Sequence, residues 1–509
     1  MGLNSYEVPW PVNHGLGSEA IVTAYAGRIA KNTAFLLAGS IVAQILLAVQ
    51  GIIIARSVGP VEYGYYATAL AFVGFFGGLF ILGLDSLMAR EIARFPESAG
   101  LHIGSGAVTA LLSSMLVLAL MIALVQITGY SSVTRSLVIV VGLGQTIIGM
   151  THFVRGIFRG FERMELDALV RVVQVSLGFA SVCLGLYISG SIGVVAASLL
   201  AGNCIGFLIG VLLITRQEGV RDYRVQRGLC FSLVRAAVPI GLSQALITGY
   251  VRLDSLLLSL FRVETEVGFY MVAFTLAMAW MPIPLSLSQA MLPQLARSFQ
   301  ADKDQFALMC KTGIRYVLAL GLPVAVVTST MSVPILSLLY GKAYLGGASS
   351  LQVLGWSAVL IFPSTFLSTV LISIDKQDLL LRVVGVNMLT SLALGLVLIP
   401  LLGASGAAWV VVIREGVSLA LQSYYVSNAV GRIALGSVLM PTLIAGGLLG
   451  LSLLLTSPYL GAWLAMGLGS VVYVVALLLT GGIRRDELQI VRRLFRRHQY
   501  VSDHSEGGE

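Results

Sequence analysis

Long apolar stretches separated by short polar ones run along almost the whole chain. About fourteen of these stretches reach the roughly 17 to 25 residues that a helix needs to cross the hydrocarbon core of a bilayer. The pattern therefore predicts an all-α integral membrane protein. We expect transmembrane helices at 33–55, 65–84, 103–128, 136–154, 169–188, 193–215, 233–261, 268–292, 313–339, 349–374, 381–400, 406–427, 437–456 and 462–482.

The composition agrees with this pattern. Hydrophobic residues make up 57% of the 509 residues and charged residues only 11%, whereas about a quarter of the residues of a soluble domain are charged. An ordinary soluble protein is therefore excluded. The four cysteines lie in or beside apolar stretches without CxxC spacing, so we expect neither a disulfide framework nor a metal site, and no cofactor.

The basic residues predict how the helices are oriented. If the amino terminus is cytoplasmic, most of the 32 lysines and arginines fall on the cytoplasmic side of the predicted helices. The positive-inside rule predicts this distribution for an even number of spans with both ends in the cytoplasm. We therefore expect a multi-pass protein of the cytoplasmic (inner) membrane with both termini in the cytoplasm. The net charge of +8 is then mostly a matter of topology, and no nucleic-acid partner is expected.

Two halves of the chain repeat each other. The segment LVRVVQV at 169–175 returns as LLRVVGV at 380–386, and EYGYY at 62–66 returns as EVGFY at 266–270. Related segments six spans apart have the same orientation, so the repeat predicts two parallel six-helix lobes plus two C-terminal helices, a transporter architecture. We expect a cytoplasmic N-terminal segment at 1–32, lobes at 33–215 and 233–427, a cytoplasmic linker at 216–232, two additional transmembrane helices at 437–482 and a basic amphipathic cytoplasmic tail at 483–509.

The polar connections between the predicted helices are short. Outer loops such as SSVTR at 131–135 leave no room for a catalytic domain, and the cytoplasmic link at 216–230 is too short to fold by itself. No Walker A sequence is present, so ATP does not drive transport directly. Any function must therefore lie in the membrane bundle, and we do not expect an enzyme.

Four charged residues are embedded in apolar stretches as two close pairs. Arg252 and Asp254 lie in the seventh predicted helix, and Arg414 and Glu415 lie in the twelfth. Counted at the helical rise, Arg252 lies about 14 Å from the outer end of its helix. A charge at that depth costs about 2.5 to 3.5 kcal/mol and normally faces a partner or a watery cavity. One explanation is a static cross-pairing of Arg252 with Glu415 and of Arg414 with Asp254. The other is a role in binding substrate or a coupling ion.

Other polar residues favour structural interpretations. Asp167 and Arg171 are four residues apart, which predicts an ion pair at a cytoplasmic helix end. His152 has no second ligand at metal spacing, and we expect it at the membrane interface. Glutamines inside spans, such as Gln145 and Gln244, suit either sugar hydroxyls or interhelical hydrogen bonds, and the latter is the commoner case.

Three segments carry a resemblance to a known family. The stretch at 55–94, ARSVGPVEYGYYATALAFVGFFGGLFILGLDSLMAREIAR, and the stretch at 252–297, which begins RLDSLLLSLF, resemble the polysaccharide transporter family, the Wzx-type flippases. The segment RGIFRGFERMELDALVRVV at 155–173 is similar to the loop before the fifth helix of that family. The resemblance implies membership of the multidrug/oligosaccharidyl-lipid/polysaccharide (MOP) exporter superfamily.

The resemblance also implies a function. A flippase of this family moves undecaprenyl-diphosphate-type lipid-linked oligosaccharide to the outer leaflet by alternating access, for exopolysaccharide, O-antigen or capsule. H+ or Na+ is the implied coupling ion of such an antiporter, and membrane lipids, a polysaccharide polymerase and assembly proteins are implied partners. The alternatives are a multidrug or metabolite exporter of the same superfamily and, less favoured, a polytopic polymerase.

A lipid diphosphate needs cations inside a cavity, which gives the embedded charges a candidate role. We expect Asp254 to be a protonation or cation site that shifts the equilibrium between the two lobes. Candidate substrate or ion-coupling residues are Arg252, Asp254, Arg414 and Glu415, and candidate headgroup contacts at the cytoplasmic mouth are Arg28, Arg90 and Arg94. The alternative explanation for these last three arginines is positive-inside anchoring alone.

Overall fold

The computed structural model describes residues 18–216, 223–431 and 436–481, with side chains described from residue 39 and, in the last range, from residue 440. Over these residues the chain is helical and contains no strand, which confirms the predicted all-α class. The helices are α1 (Ser18–Phe75), α2 (Leu84–Arg94), α3 (Ala99–Ile127), α4 (Ser132–Gly160), α5 (Met164–Ile188), α6 (Ile192–Thr215), α7 (Arg227–Phe261), α8 (Glu264–Met278), α9 (Pro282–Ala301), α10 (Lys303–Thr330), α11 (Ser332–Leu339), α12 (Ala348–Gly355), α13 (Ser357–Ser373), α14 (Gln377–Val430), α15 (Gly436–Leu460) and α16 (Ala462–Leu479).

Two of these helices are too long to be single spans. α1 has 58 residues and α14 has 54. At about 1.5 Å per residue each would exceed 80 Å, whereas the hydrocarbon core is about 30 Å thick. Each contains one glycine with a positive φ, +80° at Gly59 and +60° at Gly403, a conformation that glycine adopts without steric cost. The chain turns at these glycines, where the sequence predicted loops of several residues, so α1 and α14 each supply two spans.

Other spans are interrupted rather than turned. The second span breaks after Phe75 and resumes with α2, and Leu82 and Gly83 between them have φ angles of +50° and +74°. α8 and α9 form one span, and α12 and α13 form a span bent by 43°. Over the described residues, eleven helices, or twelve with the bent pair, are long and apolar enough to cross a membrane. Dividing α1 and α14 at their glycines accounts for the predicted number of spans.

The spans pack as two lobes plus two further helices. Met88 and Phe158 belong to a buried core of the first lobe that also includes Ala237 of α7, and Phe306 and Phe366 belong to a core in the second lobe. A further core joins the two lobes. α15 and α16 pack against α10 through a separate cluster. This is the arrangement that the sequence repeat predicted.

The repeat also has a counterpart in local structure. Glu62 of the first lobe accepts a 2.9 Å hydrogen bond from the backbone N–H of Ile192, at the start of α6. The matching residue Glu266 lies beside Gly403, where the last span of the second lobe begins, with its Oε2 2.3 Å from the position that a Cβ on Gly403 would take. A carboxylate is stabilised at a helix N-terminus. Both lobes therefore place a glutamate at the start of their sixth span.

The two ends of the bundle differ in charge. We call the end with the connections at 95–98 and 161–163 the basic face, because most of the arginines and lysines near described helix ends lie on that side. The other end, with the turns at Gly59 and Gly403, is called the opposite face. These names carry no assignment to a side of the membrane.

The lobes touch backbone to backbone at the opposite face. The Tyr344 hydroxyl of the second lobe donates a 2.6 Å hydrogen bond to the carbonyl of Ala55 in the first. Gly64 lies against the backbone of Glu264, and a Cβ at Gly64 would lie 2.2 Å from the Glu264 carbonyl oxygen. Any side chain at position 64 would therefore push the lobes apart at this face.

Parts of the predicted domain division lie outside the described residues. These are residues 1–17, the linker residues 217–222 and the basic tail predicted at 483–509. Where the chain is described, α1 already begins at Ser18 and α7 at Arg227, so both helices extend beyond the predicted spans toward the amino terminus.

Candidate functional site

Two polar cavities lie next to each other in the membrane bundle. The first, which we call the basic cavity, has a volume of about 540 Å³ and lies within the first lobe between α1, α4, α5 and α6. The second, the central cavity, has a volume of about 430 Å³ and lies between the interrupted second span, α4 and α7. Asp85 and His152 line both. Because they share these residues, the two cavities are adjacent, with Asp85 and His152 between them.

Three arginines line the basic cavity, and each has a partner. Arg155 donates a hydrogen bond to Asp167, which is 1% exposed. Arg171 donates a 2.7 Å hydrogen bond to the hydroxyl of Ser40 on α1. The predicted ion pair between Asp167 and Arg171 is therefore wrong, because Arg155 from the neighbouring helix α4 reaches the carboxylate first while Arg171 points toward α1.

The third arginine connects two elements of the first lobe. Arg159 on α4 pairs with Asp85 on α2 at 2.9 Å. The Nε of Arg159 is buried and has no hydrogen-bond partner among the described residues. Asp85 is thus held by its arginine while it lines both cavities.

His152 lies in the wall between the cavities. α4 continues for eight residues beyond it to Gly160, which places His152 about 12 Å inside the end of the helix. Its side chain is exposed to the cavities. α4 extends past the predicted span at 136–154 by more than a turn, so His152 is not at the end of its helix as the sequence suggested. The expected position at the membrane interface stays a prediction.

The central cavity owes its shape to the interruption of the second span. Gly74, Gly77, Gly78 and Gly83 line it. At Gly78 a Cβ would lie 2.6 Å from the backbone nitrogen of Ala245 on α7, so only glycine permits this approach. The glycine-rich break thus lets α7 pack closely against the first lobe while a polar space stays open beside it.

Arg252 reaches into the central cavity from α7. The Nε of its guanidinium lies 3.4 Å from the position that a Cβ on Gly74 would take. It forms no hydrogen bond or ion pair within the described part of the chain. The predicted pairing of Arg252 with Glu415 is therefore wrong. Residues two apart are separated by about 200° of rotation around the helix axis and therefore lie on nearly opposite sides. α7 accordingly directs Arg252 to the first lobe and Asp254 to the second.

The other predicted pair is present in the second lobe. One terminal nitrogen of Arg414 lies 3.2 Å from both carboxylate oxygens of Asp254, and Arg414 also pairs with Glu415 at 3.2 Å. The same guanidinium donates to the Tyr250 carbonyl at 3.2 Å and lies 5.3 Å from the centre of the Tyr250 ring. Asp254 is fully buried and Arg414 is 3% exposed. This ion-pair cluster holds two carboxylates against one guanidinium.

A third cavity borders this cluster. It has a volume of about 550 Å³ and lies within the second lobe between α7, α8, α13 and α14, and we call it the second-lobe cavity. Glu415 and Arg414 line it, whereas Asp254 does not. Asn387 also lines it, and its buried Oδ1 has no hydrogen-bond partner among the described residues. Of the two carboxylates, only Glu415 is therefore accessible from this cavity.

A hydrogen-bonded row of small polar side chains continues from Glu415 along the same cavity. Ser418 and Ser364 lie 3.2 Å apart, and Gln422 donates to Ser364 at 3.0 Å. Ser368 donates to Gln422 at 3.3 Å. Sequence reasoning did not identify this row, although Glu415, Ser418 and Gln422 have the i, i+3, i+7 spacing of one helix face, which is the signal that could have found it.

The predicted contacts at the mouth are not brought together with the cavities. Arg90 pairs with its neighbour Glu91 at 3.1 Å, and its side chain is 50% exposed. Arg94 is exposed at the end of α2. The side chain of Arg28 lies outside the described residues. Among the described residues no group of three or more His, Cys, Asp or Glu side chains is placed to hold a metal ion.

Sequence comparison identifies the family. Residues 29–299, more than half of the chain, match the family model described as polysaccharide biosynthesis protein. The chain belongs to the polysaccharide biosynthesis protein family. A second family model, MatE, matches residues 239–397 of this family member. No curated protein sequence matches it.

Solved structures show the same fold. A structure described as "Lipid II flippase MurJ, inward closed conformation" is 13% identical, covers 89% of this chain and 99% of its own, and has a TM-score of 0.72. An inward-facing multidrug resistance MATE family transporter of the MOP superfamily is 17% identical, covers 76% and 94%, and has a TM-score of 0.65. A MOP superfamily transporter from Pyrococcus furiosus is 18% identical, covers 79% and 95%, and has a TM-score of 0.54. This polysaccharide biosynthesis family member is thus a multi-pass membrane protein with the fold of MOP superfamily transporters.

Proposed function

We propose that the protein is a flippase that moves a polyprenyl-diphosphate-linked oligosaccharide across the cytoplasmic membrane by alternating access between its lobes. The observation that carries the proposal is the pair of adjacent polar cavities. Among the described residues, three arginines line the basic cavity, Arg252 lines the central cavity, and Asp85 is the carboxylate that lines both. The three arginines are Arg155, Arg159 and Arg171. A diphosphate in a low-dielectric space requires charge-assisted donors, and the planar guanidinium suits phosphate.

The orientation follows from the charge of the two faces. We propose that the basic face is cytoplasmic, since cytoplasmic loops carry the excess of lysine and arginine. Arg155 and Arg159 lie within the last two turns of α4 at that face, where a headgroup from the inner leaflet would arrive. Arg90 and Arg94 at the nearby end of α2 would add a first, exposed electrostatic attraction.

An exporter of drugs or metabolites is the second candidate, because MATE transporters share the fold. Two observations favour the flippase. The excess of arginine in the two adjacent cavities attracts anions and repels cations. In addition, the match to the lipid II flippase covers 89% of this chain, whereas the match to the inward-facing multidrug transporter covers 76%. Both observations support a lipid-linked anionic substrate.

The Arg171→Gln variant tests the flippase proposal. Arg171 has no carboxylate partner among the described residues, only the Ser40 hydroxyl, so its loss leaves no unpaired buried charge. We expect flipping of undecaprenyl-diphosphate-linked oligosaccharide in proteoliposomes to slow by about ten-fold or more, because a hydrogen bond to a charged group contributes about 1.5–3 kcal/mol. The measurement is the fraction of labelled glycan that an added glycosidase can reach over time.

The exposed Arg382→Gln is the matched control and should flip at the normal rate, since Arg382 lies on the surface, 4.0 Å from Asp378. A strain without the protein should accumulate complete lipid-linked units on the cytoplasmic leaflet. Equal flipping by the Arg171 and Arg382 variants, with normal lipid intermediates in the deletion strain, would contradict the proposal.

We further propose that the ion-pair cluster of the second lobe couples flipping to H+ or Na+. Asp254 and Glu415 share one guanidinium, so the buried cluster carries one excess negative charge that a single proton or cation would neutralise. Within the cluster, Glu415 rather than Asp254 is the accessible group, because it lines the second-lobe cavity. Asp254 would then serve to fix Arg414 in place.

Glu415→Gln should remove the response of flipping to an imposed pH or Na+ gradient while the rate without a gradient persists. Glutamine keeps the volume and the hydrogen-bonding capacity of the side chain but stays neutral. The measurement is the flipping rate in proteoliposomes with each gradient imposed separately, which also distinguishes the two ions. Asp378→Asn on the surface is the control. A full gradient response in both Glu415→Gln and Asp254→Asn would exclude coupling through this cluster.

A further inference from the structure

Most polar side chains of the central cavity have no hydrogen-bond partner among the described residues. Six of them form no side-chain hydrogen bond to any described residue, in contrast to the arginines of the basic cavity, which are all partnered. Asp85, which also lines the central cavity, is held by Arg159. The six free side chains are Ser86, Gln145, His152, Gln244, Thr248 and Arg252.

These groups form a surface suited to hydroxyl groups. The amides of Gln145 and Gln244 and the hydroxyl of Thr248 can each donate and accept hydrogen bonds. Polar groups inside a membrane protein are costly when they have no partner, so a site with several free donors and acceptors is suited to a ligand rich in both. The glycines on the facing wall carry no side chains that would fill this space. A cavity of about 430 Å³ is within the range of roughly 300–1,000 Å³ of small-ligand sites.

The free cation of this cavity is far from the arginines of the basic cavity. Arg252 lies nine residues before the end of α7 at the opposite face, about 14 Å from that end, while Arg159 is at the end of α4 on the basic face. Asp85 and His152 stand between the two groups, since they line both cavities and the arginines line only one each. One small anion therefore cannot contact Arg252 and Arg159 together.

We propose that the central cavity is a glycan subsite that binds an acidic sugar, with the sugar carboxylate on Arg252 and its hydroxyls on Gln145, Gln244 and Thr248. A guanidinium binds a carboxylate through two parallel hydrogen bonds. A carboxylate from the substrate would supply the partner that Arg252 lacks in the described chain. This inference rests on the proposed flippase function. It assigns the diphosphate to the basic cavity and the glycan to the central cavity.

Binding to the full-length protein in nanodiscs tests the subsite with three soluble probes. Hyaluronan tetrasaccharide carries glucuronate carboxylates, chitotetraose is its neutral counterpart, and inorganic pyrophosphate represents the diphosphate. Saturation-transfer NMR titration gives the affinity of each sugar, and isothermal titration calorimetry gives that of pyrophosphate. We expect the wild type to bind the acidic tetrasaccharide about ten-fold or more tightly than chitotetraose, because only the acidic probe gains a charge-assisted pair.

The variants separate the two anion sites. Arg252→Gln should abolish the preference for the acidic tetrasaccharide and leave pyrophosphate binding within about two-fold, whereas Arg171→Gln should do the reverse, since each arginine contacts a different part of the substrate. Arg252→Lys keeps the charge without the planar fork and should bind the acidic probe between the wild type and Arg252→Gln. The thermal unfolding midpoint of Arg252→Lys, compared with that of the wild type, reports whether the arginine side chain at position 252 is needed for folding.

Three results would overturn the subsite. The first is equal binding of the acidic and neutral tetrasaccharides by the wild type. The second is an unchanged preference for the acidic tetrasaccharide in Arg252→Gln. The third is loss of pyrophosphate binding rather than sugar binding in that variant, which would assign Arg252 to the diphosphate. The proposed flippase function fails differently. Wild-type protein that binds no pyrophosphate and flips no lipid-linked glycan would remove that function, whatever the sugar probes do.

Discussion

Replacing Arg414 with methionine is expected to lower the free energy of unfolding by about 3 to 5 kcal/mol, because removing one partner of a buried ion pair leaves an uncompensated charge. Asp254 is fully buried and does not line the second-lobe cavity, so its carboxylate does not regain its hydration once the guanidinium is gone. Glu415 is 9% exposed, toward the second-lobe cavity, and regains only part of its hydration. Methionine retains much of the volume and limits the cavity contribution. The measurement is unfolding by SDS in mixed detergent micelles, followed by tryptophan fluorescence.

Two further variants determine whether charge causes the loss. Adding Asp254→Asn and Glu415→Gln to Arg414→Met should recover most of the stability, because no unpaired charge is then buried. Arg382→Met is the matched control. Arg382 pairs with Asp378 at 4.0 Å with side chains 68% and 63% exposed, and surface pairs of this kind contribute about 0–1 kcal/mol. An Arg414 variant as stable as the Arg382 variant would mean that charge does not hold this cluster together.

The pairing of Arg414 with Asp254 could be predicted from sequence because it depends on depth. Counting residues at the helical rise places both charges at a similar level of the membrane, and a buried charge at that level needs a partner. Depth alone does not determine direction around the helix. Arg252 is at a similar level, but it points to the first lobe and lines the central cavity. Deciding between the two directions requires knowing which helix packs on which side of α7.

The polar cavities depend on packing that no periodic pattern reports. The central cavity exists because the second span breaks between Phe75 and Leu84 and because Gly78 brings α7 close to that break. The apolar stretch predicted at 65–84 shows no polar interruption, so hydropathy assigns it one continuous helix. The glycines were visible in the sequence, but the positive φ of Gly83 and the close contact at Gly78 are tertiary features. The all-α class and the number of spans are properties of the hydrophobic pattern, and these were predicted correctly.

Replacing Gly64 with leucine is expected to slow flipping by roughly 10- to 100-fold, because overpacking costs about 1–3 kcal/mol and here opposes contact between the lobes. A Cβ at Gly64 would lie 2.2 Å from the Glu264 carbonyl oxygen, and backbone atoms of a helix start cannot move aside alone. The core that contains Tyr63 and Val267 spans both lobes at this face, but the clusters around Met88 and Phe306 do not include residues next to position 64, so we expect the protein to fold. Alternating access requires this face to close once per cycle, and the leucine variant should favour the separated state.

Nitroxide labels at Val61→Cys and Val263→Cys measure this separation by pulsed electron paramagnetic resonance. Both positions are exposed, 52% and 62%, and belong to different lobes at the opposite face; the four native cysteines are first replaced by serine. The distance distribution should shift to longer values in Gly64→Leu.

Gly51→Leu, also in α1, is the matched control. A Cβ at Gly51 would have no other atom within 4 Å, so this variant should change neither the distance between the labels nor the flipping rate. If Gly64→Leu slows flipping without any change in distance, the glycine contact is not the closure of the opposite face and the alternating-access proposal loses this support. If both quantities shift together, the backbone contact between the lobes is part of the transport cycle.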